Sequence, residues 1–285
     1  MSAATSLTAH APMSGRHALR MLAVLALLGA AAFPIYWMLV TSLTPSEALF
    51  GDRPQLLPSL SRLSVYGAVF AIKPVATWLL NSAWVAIGTT VLSIALAVFP
   101  AYALSRFRFG GKGAIGFGLF ATQMLPEAML VVPLYAIFSQ MSLLNTLSGL
   151  ILANTAFTVP VITWILKGAI DGVPIEVEEA ARIDGCSRIG IVLQVVVPLI
   201  APTLAAAAVI SFFHGWNEYV FAQTLITEER LHTASVGLAG FIGELSTPLD
   251  AVMAVGVMYT LPAVIFYLVV QRHVVSGMTA GSVKG

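Results

Sequence analysis

A polar segment, Asp171–Gly190, separates two long apolar runs in this 285-residue chain. Carboxylates dominate it, and it holds five of the thirteen acidic residues: Asp171, Glu176, Glu178, Glu179 and Asp184. No histidine accompanies them, and Cys186 is the single cysteine of the chain. Acid–base or metal chemistry needs such partners beside the carboxylates. The segment is therefore better suited to contact with a soluble partner than to catalysis.

The same segment predicts a short helix with a defined start and stop. Pro174 suits a first helical turn, and the glutamates after it complement the positive end of the helix dipole. Gly185 supplies a left-handed stop after the last acidic residue. Glu178 and Arg182 stand four residues apart in the order that favours an ion pair.

One side of this predicted helix is nearly flat, because Ala180 and Ala181 have small side chains. A flat side allows a helix to enter a groove on another protein. A solvated connector helix explains these residues equally well. The residues alone therefore leave two alternatives, a docking helix and an ordinary connector.

Glu127 is the most informative polar residue inside the apolar runs. It lies near the middle of the run 114–139, between Pro126 and Pro133. A carboxylate at membrane depth is costly unless it faces a cavity or a partner, so it marks a pathway by default. The prolines would kink the helix and free carbonyl groups nearby. A hydrogen-bonded glutamate at a protein interface is the alternative.

Other polar residues extend this candidate translocation path. His214 and Asn217 fall on the last turns of an apolar run, where they contact a solute, cap the helix or reach the lipid headgroups. Asn154 and Thr158 lie within another run and either line a polar channel or bond the neighbouring backbone. A separate small-residue face, suited to close helix packing, consists of Thr203, Ala207, Ser211 and Gly215.

The composition identifies an integral membrane protein, because 58% of the residues are hydrophobic and only 9% are charged. A span needs about 20 apolar residues. Six runs meet this requirement, near 21–43, 78–104, 114–139, 147–168, 191–221 and 250–271. These runs are apolar on all faces, unlike barrel strands, which alternate. The predicted fold is an all-α integral membrane protein with six transmembrane helices.

The basic residues predict the orientation, since lysine and arginine near span ends stay in the cytoplasm. With the N-terminus inside, the inner segments hold Arg16, Arg20, Arg106, Arg108, Lys112, Lys167, Arg182, Arg188, Arg272 and Lys284. The outer segments hold only Arg53, Arg62, Lys73 and Arg230. We therefore expect a cytoplasmic tail at 1–18, a six-span membrane domain at 19–273 and a cytoplasmic tail at 274–285, with the loop 171–190 inside.

Several enzyme classes are disfavoured by missing motifs. The glycine cluster Gly110–Gly113 has neither the spacing nor the hydroxyl of a phosphate-binding loop. There is no H-E-x-x-H, no G-x-S-x-G and no histidine and cysteine set with metal spacing. We therefore expect no catalytic residue, no metal site and no ATPase activity in this chain.

The spacing around the polar segment matches a known signature. Glu179, Ala180 and Ala181 are followed by three residues, Gly185, nine residues and the segment 195–198. This pattern resembles the E-A-A-x3-G-x9-I-x-L-P signature of bacterial ABC importer permeases, with valine in place of isoleucine and leucine. Further segments resemble the sugar-importing, maltose-permease-like branch: Asn81–Ser82, Ala101–Arg106, Met124–Pro126, Val132–Leu134, Trp216–Tyr219 and Gln271–Arg272.

The resemblance implies a permease subunit of an ATP-driven importer for a sugar or sugar-like solute in the bacterial cytoplasmic (inner) membrane. It implies that 171–190 is a coupling helix, docked through Glu178, Glu179, Ala180, Ala181, Asp184 and Gly185. The implied partners are a second homologous permease in a heterodimer, two ATP-binding subunits, an extracytoplasmic sugar-binding protein and membrane lipid, with no nucleic acid. ATP and Mg belong to the ATP-binding subunits, and the tail near Lys284 is expected to contact them.

A self-sufficient secondary transporter or channel is the alternative function. Such a protein would also cross the membrane several times and would use Glu127 as an intramembrane relay. It would not need the signature that runs from Glu179 to Pro198. The sequence does not name the sugar, because aromatic residues such as Trp164 and Trp216 serve equally as interface anchors.

Overall fold

The computed structural model describes residues 15–49, 51, 55–241 and 248–281, and this part of the chain is helical without a β-strand. The all-α prediction is confirmed for these residues. Residues 1–14 and 282–285, which include Lys284, lie outside the described part. Residues 274–281 extend the last helix.

The helices are, in chain order, α1 (Gly15–Ser42), α2 (Ser64–Ile72), α3 (Val75–Arg106), α4 (Lys112–Thr122), α5 (Glu127–Gln140), α6 (Leu147–Asp171), α7 (Ile175–Ile183), α8 (Arg188–Gly190), α9 (Val197–Leu199), α10 (Ala201–Asn217), α11 (Val220–Leu225), α12 (Ala234–Ala239) and α13 (Leu249–Gly281). A π-helical turn, Ile191–Val196, joins α8 to α9. Short 3₁₀ turns occupy Leu60–Arg62 and Glu229–Leu231. Helices α1, α3, α6 and α13 are long and apolar enough to cross a membrane.

Two predicted spans are bent rather than continuous. The run 114–139 is divided into α4 and α5, which meet at 99°, and the run 191–221 is divided between Arg188–Leu199 and α10, which meet at 84°. Pro126 stands at the first break, because proline has no N–H and disfavours helical backbone in the residue before it. Pro202 follows the second break, in the first turn of α10, where a missing N–H costs no helical hydrogen bond. The described residues thus provide four candidate spans that are single long helices, or up to six spans if each bent pair is one span.

Helix α3 is central and packs mainly against α6 and α10. The small-residue face of α10 makes one of these contacts. Ala207 and Ser211 are fully buried, and a Cβ on Gly215 would stand 3.1 Å from Cα of Ala86. The predicted close-packing face therefore packs against α3 within this chain, where glycine lets two helix backbones approach.

The two ends of α3 are tied to different loops. At its first turns, Nδ2 of Asn81 donates to the carbonyl oxygens of Arg230 at 3.0 Å and His232 at 2.9 Å. The hydroxyl of Ser82 accepts from the backbone N–H of Ala234 at 2.8 Å. The other end of α3 contacts α7. Because a helix of 32 residues is about 48 Å long, these two loops lie on opposite sides of a membrane that α3 crosses.

Candidate functional site

Helix α7 forms within the polar segment, and its end depends on Gly185. Pro174 precedes the helix as its N-cap residue instead of occupying the first turn. Gly185 has a φ of +87°, and its N–H bonds the carbonyl of Arg182 at 3.1 Å. Only glycine adopts this left-handed conformation cheaply. A Cβ there would meet no atom within 4 Å, so the backbone conformation, and not a lack of space, requires glycine.

One side of α7 is exposed, and we call Glu179, Ala180, Ile183 and Asp184 the outer face of α7. These positions lie on one side of a helix, because they repeat at three to four residues. Ile183 is 88% exposed. The carboxylates of Glu179 and Asp184 form no ion pair or side-chain hydrogen bond with any residue that the structure describes. The outer face therefore combines free negative charge with exposed apolar surface.

Glu178 lies on the opposite, inner side of α7, and its side chain is only 4% exposed. Its Oε1 accepts from Nε of Arg106 at 2.7 Å, and its Oε2 accepts from the hydroxyl of Tyr102 at 2.7 Å. The four-residue spacing predicts an ion pair with Arg182 instead. Glu178 turns to Arg106 because α7 lies across the end of α3, which places the arginine on the inner side.

The inner side of α7 continues into an apolar cluster. Ala181 and Cys186 pack against buried side chains of α3, α6 and the turn Ile191–Val196. That turn is π-helical and precedes Pro198, whose missing N–H leaves the carbonyl of Gln194 without its usual helical donor. The loop is therefore anchored on its inner side and free on its outer face.

A second polar site lies at the bend between α4 and α5. Glu127 begins α5 directly after Pro126, so it is in the first helical turn and not in mid-helix as the sequence predicts. Nε2 of His214 lies 3.8 Å from Oε1 of Glu127. A cavity of about 90 Å³ is lined by Gln123, Glu127, Phe157, Thr158, Val161, Ile162, Ile210 and His214. The carboxylate of Glu127 and the amide oxygen of Gln123 can accept hydrogen bonds from a polyhydroxylated solute. The hydroxyl of Thr158 already donates to the carbonyl of Asn154 at 3.0 Å.

The remaining predicted path residues lie elsewhere. Asn154 is fully buried, and its Nδ2 donates to a backbone carbonyl one turn earlier at 2.8 Å. Asn217 is exposed, and its Oδ1 accepts from the hydroxyl of Tyr259 at 3.2 Å. Neither lines the cavity. The structure thus brings together three of the five predicted path residues: Glu127, Thr158 and His214.

The sequence does not predict that Tyr102, Arg106 and Gln123 belong to these two sites. The spacing of Tyr102 and Arg106 places both on one face of a helix, but nothing local reveals that this face meets Glu178. Gln123 lies in the bend between α4 and α5, and its position depends on the bend. Among the described residues, no group of three or more histidine, cysteine or acidic side chains could hold a metal ion.

The bent spans, the anchored loop and the polar cavity define the class as an integral membrane transport subunit. Residues 93–280 match the family described as binding-protein-dependent transport system inner membrane component. The chain belongs to this family. Because the family consists of transport permeases, the prediction of a non-enzymatic membrane subunit is confirmed.

Named relatives are permeases of sugar transport systems. The chain is 36% identical to the sulfoquinovosyl glycerol transport system permease protein SmoH of Agrobacterium fabrum, over 94% of each chain. It is 34% identical to the trehalose transport system permease protein SugB of Mycobacterium tuberculosis, over 90% of this chain and 94% of the relative. The trehalose/maltose transport system permease protein MalG of Thermococcus litoralis is also 34% identical, over 89% of this chain and 91% of the relative.

Solved structures share the fold. A chain from a bacterial ABC transporter that imports the acidic polysaccharide alginate aligns with a TM-score of 0.78 and 26% identity, over 93% of this chain and 99% of that chain. A chain from an alginate transporter in complex with a periplasmic protein carrying an alginate pentasaccharide aligns with a TM-score of 0.65, over 90% of this chain and 92% of that chain. Because the identity is 16%, this second alignment shows the fold alone. The chain is thus a permease of the sugar ABC transporter family, and the predicted family is confirmed.

Proposed function

We propose that this chain is the membrane permease subunit of an ATP-driven importer for a sugar or sugar-like solute. In this proposal it pairs with a second, homologous permease in the cytoplasmic membrane. Two ATP-binding subunits, which hold ATP and Mg, dock on one side, and an extracytoplasmic sugar-binding protein delivers the solute on the other. The related permeases belong to transport systems for sulfoquinovosyl glycerol, trehalose and trehalose/maltose, and these relatives support the substrate class.

The outer face of α7 is the observation that carries the docking part of the proposal. Glu179 and Asp184 have no partner among the described residues, and Ile183 between them is 88% exposed. An amphipathic helix that fits a groove buries such apolar side chains and pairs its charges with the partner. In the proposed cycle, closure of the ATP-binding subunits displaces α7, and the displacement switches the spans between inward-facing and outward-facing access.

The distribution of charge supports a cytoplasmic location for α7 and both termini. Arg106, Lys112, Lys167 and Arg188 all flank the α7 end of the spans. Basic residues near span ends favour the cytoplasmic side. The loop that Asn81 holds at the other end of α3 then faces the binding protein.

The cavity at the bend between α4 and α5 is the proposed part of the translocation path in this chain. Glu127 offers carboxylate oxygens and Gln123 an amide oxygen, while His214 and Thr158 complete the polar part of the wall. Phe157 provides an apolar wall. The cavity therefore suits hydroxyl-rich solutes. A transported solute must also bind weakly enough to be released.

Affinity capture of the tagged chain from its native membrane tests the proposal. Recovery of an ATP-binding subunit and a second permease, lost when residues 179–185 are scrambled but spans remain inserted, is the expected result. Capture of the chain alone or as a homo-oligomer, with solute uptake that needs no ATP, would contradict the proposal. That outcome would favour a secondary transporter that uses Glu127 as a relay.

A further inference from the structure

A buried polar cluster connects α7 to the end of α3, and we call Tyr102, Arg106 and Glu178 the α3–α7 clamp. The side chains of Arg106 and Glu178 are 11% and 4% exposed, and Tyr102 is 7% exposed. The clamp belongs neither to the outer face of α7 nor to the polar cavity. A buried ion pair carries a large desolvation penalty unless further hydrogen bonds complete it, so the function of this one needs an explanation.

Hydrogen bonds pair the polar groups of the clamp with one another and with the backbone. Arg106 donates from Nε to Glu178 at 2.7 Å, and from Nη2 to the carbonyl of Val173 at 2.7 Å. The hydroxyl of Tyr102 occupies the second carboxylate oxygen of Glu178 at 2.7 Å. One arginine therefore holds both Val173, two residues before α7, and Glu178 in the middle of α7. One anchor point just before this helix of nine residues and one in its middle fix its direction as well as its position.

The clamp also leads toward the polar cavity. The hydroxyl of Ser93, which lies earlier in α3 than the clamp, is 2.5 Å from the hydroxyl of Thr158 on α6. Thr158 lines the cavity that contains Glu127 and His214. Helix α3, which continues through Pro100, therefore carries the clamp at its end and, about 20 Å before Arg106 at 1.5 Å per residue, a contact with the cavity wall. Such a continuous path of packed and hydrogen-bonded groups is a physical route for coupling.

We infer that Tyr102 and Arg106 are positioning residues that lock α7 to α3, so that both helices move as one body when the partner displaces α7. The inference rests on the proposed function. Without the clamp, α7 still presents its outer face and still binds the ATP-binding subunit. Its displacement is then absorbed at the loop 171–174, so ATP is hydrolysed without matching movement of the cavity wall.

The test measures solute uptake and ATP hydrolysis on the same proteoliposomes containing the complete transporter. Glu178→Gln keeps the shape of the side chain and removes its charge. Tyr102→Phe removes one hydroxyl and keeps the ring packed edge-on against Phe107. For Glu178→Gln we expect uptake per ATP hydrolysed to fall by about fivefold or more, the range of ordinary coupling between sites. We expect a smaller fall in the same direction for Tyr102→Phe. Both variants should retain the ATP-binding subunit.

Glu47→Gln is the matched control, because it removes an exposed carboxylate that belongs neither to the clamp nor to the cavity. The ratio of solute uptake to ATP hydrolysis in this control should equal that of the wild type. An unchanged ratio in an assembled Glu178→Gln complex would overturn the inference. If the Glu178→Gln complex does not assemble, the Tyr102→Phe variant provides the test. An unchanged ratio of uptake to ATP hydrolysis in that variant would equally overturn the inference. Failure of the proposed function is distinct, since the wild-type complex itself would then show no ATP-dependent uptake.

Discussion

Nε2 of His214 lies 3.8 Å from Oε1 of Glu127, and this contact joins the end of α10 to the start of α5. Each residue belongs to a span that is bent by more than 80°. The two side chains are 26% and 38% exposed, but Nε2 of His214 itself is buried and has no hydrogen-bond partner among the described residues. Because the pair bridges two bent spans, movement of either half-span changes the separation of these two groups and the shape of the cavity.

Glu127→Ala is expected to reduce uptake of the transported sugar roughly tenfold, because a hydrogen bond to a charged group contributes about 1.5–3 kcal/mol. Uptake into proteoliposomes, with the amount of assembled complex measured in parallel, checks this. Glu47→Ala, which removes an exposed carboxylate outside the cavity, should leave uptake unchanged. Wild-type uptake by Glu127→Ala in a normally assembled complex would assign Glu127 to an interface with the partner permease instead.

Gly185→Val is expected to abolish coupled transport while all spans remain inserted. Valine at a φ of +87° introduces backbone strain of about 1–3 kcal/mol, which displaces the turn that ends α7. Transport and ATPase assays, together with a topology assay, measure the effect. Gly67→Val is a suitable control, since Gly67 is exposed within α2 and a Cβ there meets nothing within 4 Å. Normal transport by Gly185→Val would refute the proposed role of the loop.

Gly237→Ala should lower the thermal stability of the purified chain. A Cβ at this position would stand 2.2 Å from Cε3 of Trp78, and overpacking of this kind costs about 1–3 kcal/mol. The displaced ring would also lose the bond of 2.9 Å from its Nε1 to the carbonyl of Glu229. Gly168→Ala, at an exposed position of α6 with open space around it, should keep or slightly raise the melting temperature. Equal melting temperatures for the two variants would contradict the packing argument.

Asn145 should stabilise the loop at the end of α3 that lies opposite α7. It has a φ of +53°, and its Oδ1 accepts from the N–H groups of Thr227 at 2.7 Å and Glu228 at 3.2 Å. Asn145→Asp keeps a side-chain oxygen that accepts both hydrogen bonds. Asn145→Gly loses this oxygen but still adopts the positive φ easily. We expect resistance to proteolysis to be highest for Asn145→Asp, lower for Asn145→Gly and lowest for Asn145→Ala. Each hydrogen bond lost should lower the stability of the loop by about 1 kcal/mol. Wild-type resistance in Asn145→Ala would show that the contact is dispensable.

Local features were predictable where neighbours in sequence determine them. The start of α7, its acidic first turn and the left-handed conformation of Gly185 all follow from residue type. The close-packing face of α10 was predictable for the same reason, since Ala207, Ser211 and Gly215 recur at helical spacing. Their partner on α3 was not, because which helix a small-residue face meets depends on the whole bundle.

The bends illustrate the limit of such reasoning. Pro126 and Pro133 predicted a kink in the third apolar run, and the structure places a break of 99° at the first of them while α5 continues through the second. A proline removes one hydrogen bond in either case. Packing against neighbouring helices decides whether that loss bends the chain sharply or is absorbed.

The sequence by itself determined the membrane setting, the helical class, the position of the exposed loop helix and the family signature, because these depend on composition and on spacing within about twenty residues. Only the tertiary structure decided that Glu178 is buried against Arg106, that Glu127 meets His214, and that Asn154 lies away from the cavity. These contacts join residues far apart in the chain, and the burial that makes a carboxylate seek a particular partner exists only after the helices have packed.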